Sequence, residues 1–136
     1  MYDQALISSL KSIVGDDFVL SHPDDLIVYE YDGSVDKAIP DLVVLPNTTT
    51  QIASILSITH AKNIPVVCRG AGTGLSGGSI ATLGGVQISL SRMTRILEID
   101  PLNLTALVEP GVINLDITKA VAKHSLYYSP DPSSQK

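Results

Sequence analysis

The 136-residue sequence contains no tryptophan, one phenylalanine and five tyrosines. Its core must therefore be aliphatic, built from Ile, Leu and Val. It has one cysteine, Cys68, which rules out an intramolecular disulfide and fits a reducing cytoplasm. It has no basic cluster: nine Lys and Arg stand against fourteen Asp and Glu, a net charge of −5. Nucleic-acid binding needs a basic patch, so nucleic acid is not expected as a partner. No apolar run approaches the ~18 residues that a membrane span requires, and the N-terminus lacks the basic start and apolar block of a signal peptide. His22, His60 and His124 are scattered without metal-ligand spacing, so no metal site is expected. Charged residues make up only 17% against 44% apolar, a balance that opposes disorder and favours one folded domain.

The apolar pattern defines the elements. Leu6, Leu10 and Ile13 or Val14 recur at helical spacing over Asp3 to Val14, and Gly15 follows as a stop. Residues 16–40 mix short apolar runs with Pro, Asp and Gly and read as mostly irregular; the carboxylates of "PDD" and "YEYDG" read as a solvated loop. "DLVVLP", ending at Pro46, is a buried-strand run. Thr48 and Gln51 form a capping-box pattern for a helix that presents Ile52, Ile55, Leu56 and Thr59 on one face and stops at Asn63. "PVVCR" is a second strand, with Cys68 as a small core residue, so strand, helix and strand make a right-handed βαβ unit. The period then changes to two: Val86, Ile88 and Leu90 alternate with polar residues. "RILEID" and "LTALVEP", joined by Pro101–Asn103, predict an antiparallel hairpin. Asn114 is the expected N-cap of a last helix. Arg92 and Arg95 read as solvated turn residues. The expected class is α+β, one βαβ unit followed by antiparallel strands and a helix, with residues 1–39 as an N-terminal helix and irregular segment and 40–136 as the first part of a larger domain.

Residues 66–86, "VVCRGAGTGLSGGSIATLGGV", hold seven glycines. A plain turn needs one or two. A Walker loop needs a lysine, and none lies between Lys62 and Lys119. "GTGLSG" fits the Rossmann fingerprint, but that motif must open a helix, and only Ser79–Leu83 separate the two glycine pairs that follow. What remains is a glycine loop whose successive backbone N–H groups form a nest for an anion, with Arg69 at its start adding charge.

"PDLVVLP" (40–46), "IPVVCRGAGTGLSGGS" (64–79), "VEPGV" (108–112) and "YYSPDPSS" (127–134) together resemble the flavoproteins with the vanillyl-alcohol-oxidase, or p-cresol-methylhydroxylase, type of FAD-binding domain. The branch most similar is the FAD-binding subunit of glycolate oxidase with the D-lactate and D-2-hydroxyacid dehydrogenases. The resemblance implies that Pro46 ends a strand where the chain passes the cofactor. It implies that Arg69, Gly70, Ala71, Gly72, Thr73, Gly74, Leu75, Gly77, Gly78 and Ser79 form the pyrophosphate loop, with Pro132 and Ser133 near the flavin. The loop has no histidine, which implies non-covalent FAD. Tyr127 and Tyr128 either stack on a ring or pack at a helix end, and "VEPGV" is structural.

The same resemblance implies that the second half of the FAD cradle and a substrate-binding cap lie beyond Lys136, with the catalytic base. No residue here matches a catalytic position, so this chain alone is expected not to oxidise a hydroxyacid, and its retention of FAD is a matter for measurement. The alternative expectation is a non-catalytic fragment or relic whose exposed strand edges self-associate.

Overall fold

The computed structural model describes residues 2–129. They form two compact units, Met1–Arg92 and Met93–Lys136.

The first unit begins with α1, Gln4–Val14. Asp3 caps it by accepting a hydrogen bond from the Leu6 N–H at 2.8 Å, and Gly15 closes it. Leu6, Leu10 and Val14, four residues apart, are its buried stripe. A short strand, β1 (Val19–Leu20), and a one-turn helix, α2 (Pro23–Leu26), follow. Then come β2 (Leu42–Val44), α3 (Thr49–Ala61), β3 (Val66–Arg69) and β4 (Val86–Ser89). Thr48 Oγ1 accepts from the Gln51 N–H at 3.2 Å, while Gln51 Oε1 accepts from Asn47 rather than from Thr48. Asn63 takes a left-handed φ of 52° at the helix end, as its sequence position predicts.

The sheet order is β1-β2-β4-β3. The two strands of the βαβ unit are parallel, but they are not neighbours. Strand β4 lies between them and pairs in parallel with both, while β1 pairs antiparallel with β2. Two expectations are corrected here. Residues 16–40 are not merely irregular, since they supply an edge strand. Strand β4 joins the sheet of the βαβ unit and pairs in parallel on both sides, rather than belonging to an antiparallel set.

Side chains alternate between the faces of a strand, and the register fixes which residues share a face. Leu42, Val44, Val86 and Ile88 face one way and close a core with Leu6, Leu10, Val14, Val19 and Ile55. Val43, Gln87, Val67, Ser89 and Arg69 share the other face. Gln87 and Ser89 are as buried as the valines beside them. The period-two pattern of β4 therefore separates an aliphatic core from a buried polar face, not a core from water. At the edge, Cys68 is exposed rather than part of the core, and Leu56 on α3 is also exposed.

Arg92 is not solvated as expected. Its Nη1 donates to the Leu45 carbonyl at 2.7 Å, and its guanidinium lies 3.3 Å from the centroid of the Phe18 ring. This pins the end of β2 to the segment leading into β1, where the Leu45 N–H also donates to the Phe18 carbonyl.

The second unit is the predicted hairpin, β5 (Ile96–Asp100) antiparallel to β6 (Thr105–Val108), followed by α4 (Asn114–Val121). Asp100 shapes the turn by accepting the N–H groups of Leu102 and Asn103. The N-cap of α4 is Ile113, without a side-chain bond, so Asn114 is the first helical residue and not the cap. Glu109 of "VEPGV" is buried. One carboxylate oxygen accepts from Arg95 Nε and Nη2 at 3.0 and 2.6 Å, and the other accepts from the Arg95 N–H at 2.8 Å. Arg95 is thus a pairing residue rather than a free turn residue.

Hydrogen bonds from the Arg95 side chain and backbone hold the Glu109 carboxyl below its ordinary range. A depressed folded value means that the pair's stabilisation is complete above the unfolded value of about 4.3 and is lost as pH falls through the folded value. Glu109→Gln is expected to lower stability at pH 7, and the deficit should shrink as acid is added. Denaturant melts of both proteins at pH 7 and pH 3 check this; a deficit independent of pH would contradict it.

Candidate FAD-binding site

The glycine loop leaves the C-terminal end of β3 and enters the N-terminal end of β4, so it crosses from one end of these two parallel strands to the other. Ligands of open α/β sheets bind outside the carboxyl ends of the strands, which is where the loop begins. Its last turn, Gly84–Gly85, anchors the sheet. The Gly85 N–H donates to Asp41 Oδ2 at 2.7 Å, and the Gly85 carbonyl accepts from the N–H groups of Asp41 and Leu42. Gly85 has a φ of 85°, and a Cβ there would run into the Pro65 carbonyl oxygen.

The loop glycines fall into two sets. Gly72 has a φ of 71°, and a Cβ on it would collide with the Arg69 guanidinium. Gly77 also has a φ of 71°, while a Cβ on it would meet Asp36 and Ser34 only at ordinary contact distances. These two are explained by the chain's own backbone conformation, and Gly72 by packing as well. Gly70, Gly74 and Gly78 are not among the residues with positive φ, and a Cβ on any of them would meet nothing within 4 Å. Alanine would fit all three positions in the chain as it stands. Bare backbone there suits a ligand that approaches closely from this open side.

Arg69 lies beneath the loop and is 9% exposed. Its Nη1 donates to the Tyr31 carbonyl at 2.6 Å, and its guanidinium carbon lies 5.7 Å from the centroid of the Tyr29 ring. Among the described residues, no carboxylate forms an ion pair with it. A buried cation is costly without a counter-charge, and this one touches the backbone of the loop that would carry an anion.

The wall behind the loop is the segment that reads as irregular in sequence. Asp32 is 7% exposed, so the carboxylates of "YEYDG" are not all solvated. Its Oδ1 accepts from the Ser34 N–H at 2.8 Å and its Oδ2 from Ser79 Oγ at 3.2 Å. These bonds, with Ser34 the largest contributor, hold its carboxyl below the ordinary range. The Ser79 carbonyl accepts from Gln87 Nε2 at 2.7 Å, while Gln87 Oε1 is buried without a partner among the described residues. Sequence reasoning missed Asp32, Gly33 and Gln87. The available signal was "DGS" in a stretch that mixes short apolar runs with Pro, Asp and Gly.

Of the expected site residues, Arg69 to Gly78 and Ser79 come together in this loop. Thr73, Leu75 and Ala71 are exposed along it. Pro46 is fully buried at the end of β2. Pro132 and Ser133 lie outside the described residues. Tyr127 and Tyr128 line a separate apolar groove of about 490 Å³ within the second unit, together with Leu104, Ala106, Ile117 and Val121. Among the described residues, no group of three or more His, Cys, Asp or Glu could hold a metal, and no helix is long and apolar enough to cross a membrane.

Comparison with known proteins gives the family of the chain. The chain is 49% identical over 118 residues to the glycolate oxidase subunit GlcD of Escherichia coli K12, covering 86% of this chain and 24% of that protein. It is 33% identical over 131 residues to a D-lactate dehydrogenase of Anaerostipes hadrus, covering 95% of this chain and 26% of that one. The chain thus spans about a quarter of the length of the curated relatives it matches. A crystal structure of p-cresol methylhydroxylase with substrate bound superposes with a TM-score of 0.78 at 29% identity, over 90% of this chain and 25% of that one. Residues 40–136 match the FAD binding domain family. With that match covering more than half its length, the chain belongs to the FAD binding domain family, whose cofactor is FAD.

Proposed function

We propose that this chain holds the diphosphate of non-covalent FAD on the open side of the glycine loop. On this reading it is part of an enzyme that oxidises a small D-2-hydroxyacid such as glycolate or D-lactate. The carrying observation is that Gly70, Gly74 and Gly78 have bare backbone that nothing in the chain requires. The N–H groups of residues 70–78 would donate to the phosphate oxygens, as nests of backbone amides do for anions. Arg69 would supply a fixed positive charge from beneath, and binding would give that charge the counter-ion it lacks. Pro132 and Ser133 would meet the flavin end. The flavin supplies the two-electron acceptor, and the protein supplies binding, orientation and electrostatics. The substrate class rests on the relatives, and the cytoplasm as location rests on the single cysteine.

A second reading is favoured by one observation. The hairpin β5–β6 is a sheet of only two strands, with Leu97, Leu102, Leu104 and Leu107 exposed. Such a hairpin is marginal alone, and free edges recruit strands. The chain in isolation would then self-associate. Light scattering should give a mass above that of one chain; a clean monomer at all concentrations would sink this reading.

The FAD reading predicts opposite rankings for stability and binding. Gly70→Ala and Gly74→Ala should leave stability unchanged or raise it by about 0.4–1 kcal/mol. Gly72→Ala should lower stability by about 1–3 kcal/mol, because it forces a strained φ and displaces Arg69. Quenching of FAD fluorescence should show affinity falling about tenfold or more in Gly70→Ala and Gly74→Ala, the size of one lost charge-assisted contact. Unchanged FAD affinity in both would refute the loop as the diphosphate site.

A further inference from the structure

The segment Tyr31–Asp36 touches the glycine loop along its length. At the loop's start, Arg69 Nη1 donates to the Tyr31 carbonyl at 2.6 Å. In the middle, a Cβ on Gly33 would stand 2.9 Å from the Gly74 carbonyl oxygen, 3.0 Å from that of Thr73 and 2.9 Å from Leu75 Cδ2. Near Gly77, the neighbours are Asp36 Oδ2 and Ser34 Oγ. At the loop's end, Ser79 Oγ donates to Asp32. The segment is itself braced: the Ser34 N–H donates to Asp32, Ser34 Oγ accepts from the Asp36 N–H at 3.3 Å, and Tyr31 bridges to Lys37.

A glycine-rich loop has the largest backbone entropy to lose on becoming ordered. If a ligand had to order it, that cost would be taken from the affinity. We propose that Tyr31–Asp36 is the mould that fixes the glycine loop before any ligand arrives, with Asp32 and Gly33 as positioning residues for FAD. The proposal rests on the FAD reading for what the loop holds, but not for how the loop is held.

Asp32 acts through Ser79 and Ser34 rather than on the ligand. Both of its oxygens are occupied by hydrogen bonds from the chain, so its negative charge is committed to the wall. Gly33 acts by close approach, because any side chain would push the carbonyls of Thr73 and Gly74 outward. Gln87 supports the same point from below through the Ser79 carbonyl. The 31–36 segment and strand β4 thus both hold the loop at Ser79, and the segment alone meets its middle.

The test measures order in the cofactor-free chain. In the wild type, ¹⁵N relaxation should give residues 72–78 backbone order parameters near the rigid value of about 0.85. Asp32→Ala and Gly33→Ala should each drop these residues below about 0.6 while β2 and β4 stay rigid. Ser79→Ala, which removes one part-buried hydroxyl contact, should show the same effect near Ser79 and serves if a larger change does not fold. FAD affinity, read by fluorescence quenching, should fall about fivefold or more in the same variants. Unchanged loop order in the variants, or a wild-type loop already below 0.6, overturns the mould. Failure of the wild-type chain to bind FAD would count against the function reading alone, since the relaxation result is obtained without cofactor.

Discussion

The structure turns on a buried guanidinium that has no carboxylate to neutralise it. Arg69 ends β3 on the polar face of the sheet, donates to the Tyr31 carbonyl, and lies so close under Gly72 that no side chain fits there. Each consequence follows from its burial. The loop above it must be glycine at position 72. The segment at Tyr29–Tyr31 must fold back to supply an aromatic face and a carbonyl. A cation placed at that cost beneath a row of bare amides is suited to an anion, and FAD brings a diphosphate.

The two faces of one small sheet therefore do different work. Leu42, Val44, Val86 and Ile88 close the aliphatic core with α1 and α3 and make the unit stable. Val43, Gln87, Ser89 and Arg69 form the base on which the loop is seated. Parallel strands with both faces covered are common in α/β proteins. Here the second cover is not a helix but the loop and the 31–36 segment.

Much of this was legible in the sequence, and the exceptions have physical causes. The Asp3 to Val14 helix, the capping pattern at Thr48, the stop at Asn63 and the hairpin around Pro101–Asn103 follow from local chemistry, and the structure has all of them. Strand β4 misled because alternation reports a change of environment without saying what the second environment is; Gln87 and Ser89 are polar but buried. Arg92 and Arg95 looked free because their partners, the Leu45 carbonyl with the Phe18 ring and the Glu109 carboxylate, are remote in sequence. Asp32 was hidden for the same reason, since Ser79 is 47 residues away. The glycine loop stood out in the sequence by its glycine density and by the lysine and helix it lacks. Which of its glycines serve the chain and which serve a ligand could be told only from what surrounds each Cβ position.

The central claim is that the open backbone of this loop meets the FAD diphosphate over the Arg69 charge. The most direct measurement is a ¹⁵N-resolved titration of the chain with FAD, and in parallel with inorganic pyrophosphate. The account predicts that both ligands shift the amides of Gly70, Gly74 and Gly78 and the Arg69 Nε–H signal, and that signals from the apolar groove at Tyr127 and Ile117 stay in place with pyrophosphate. Shifts confined to that groove, with the loop and Arg69 unmoved by either ligand, would contradict it.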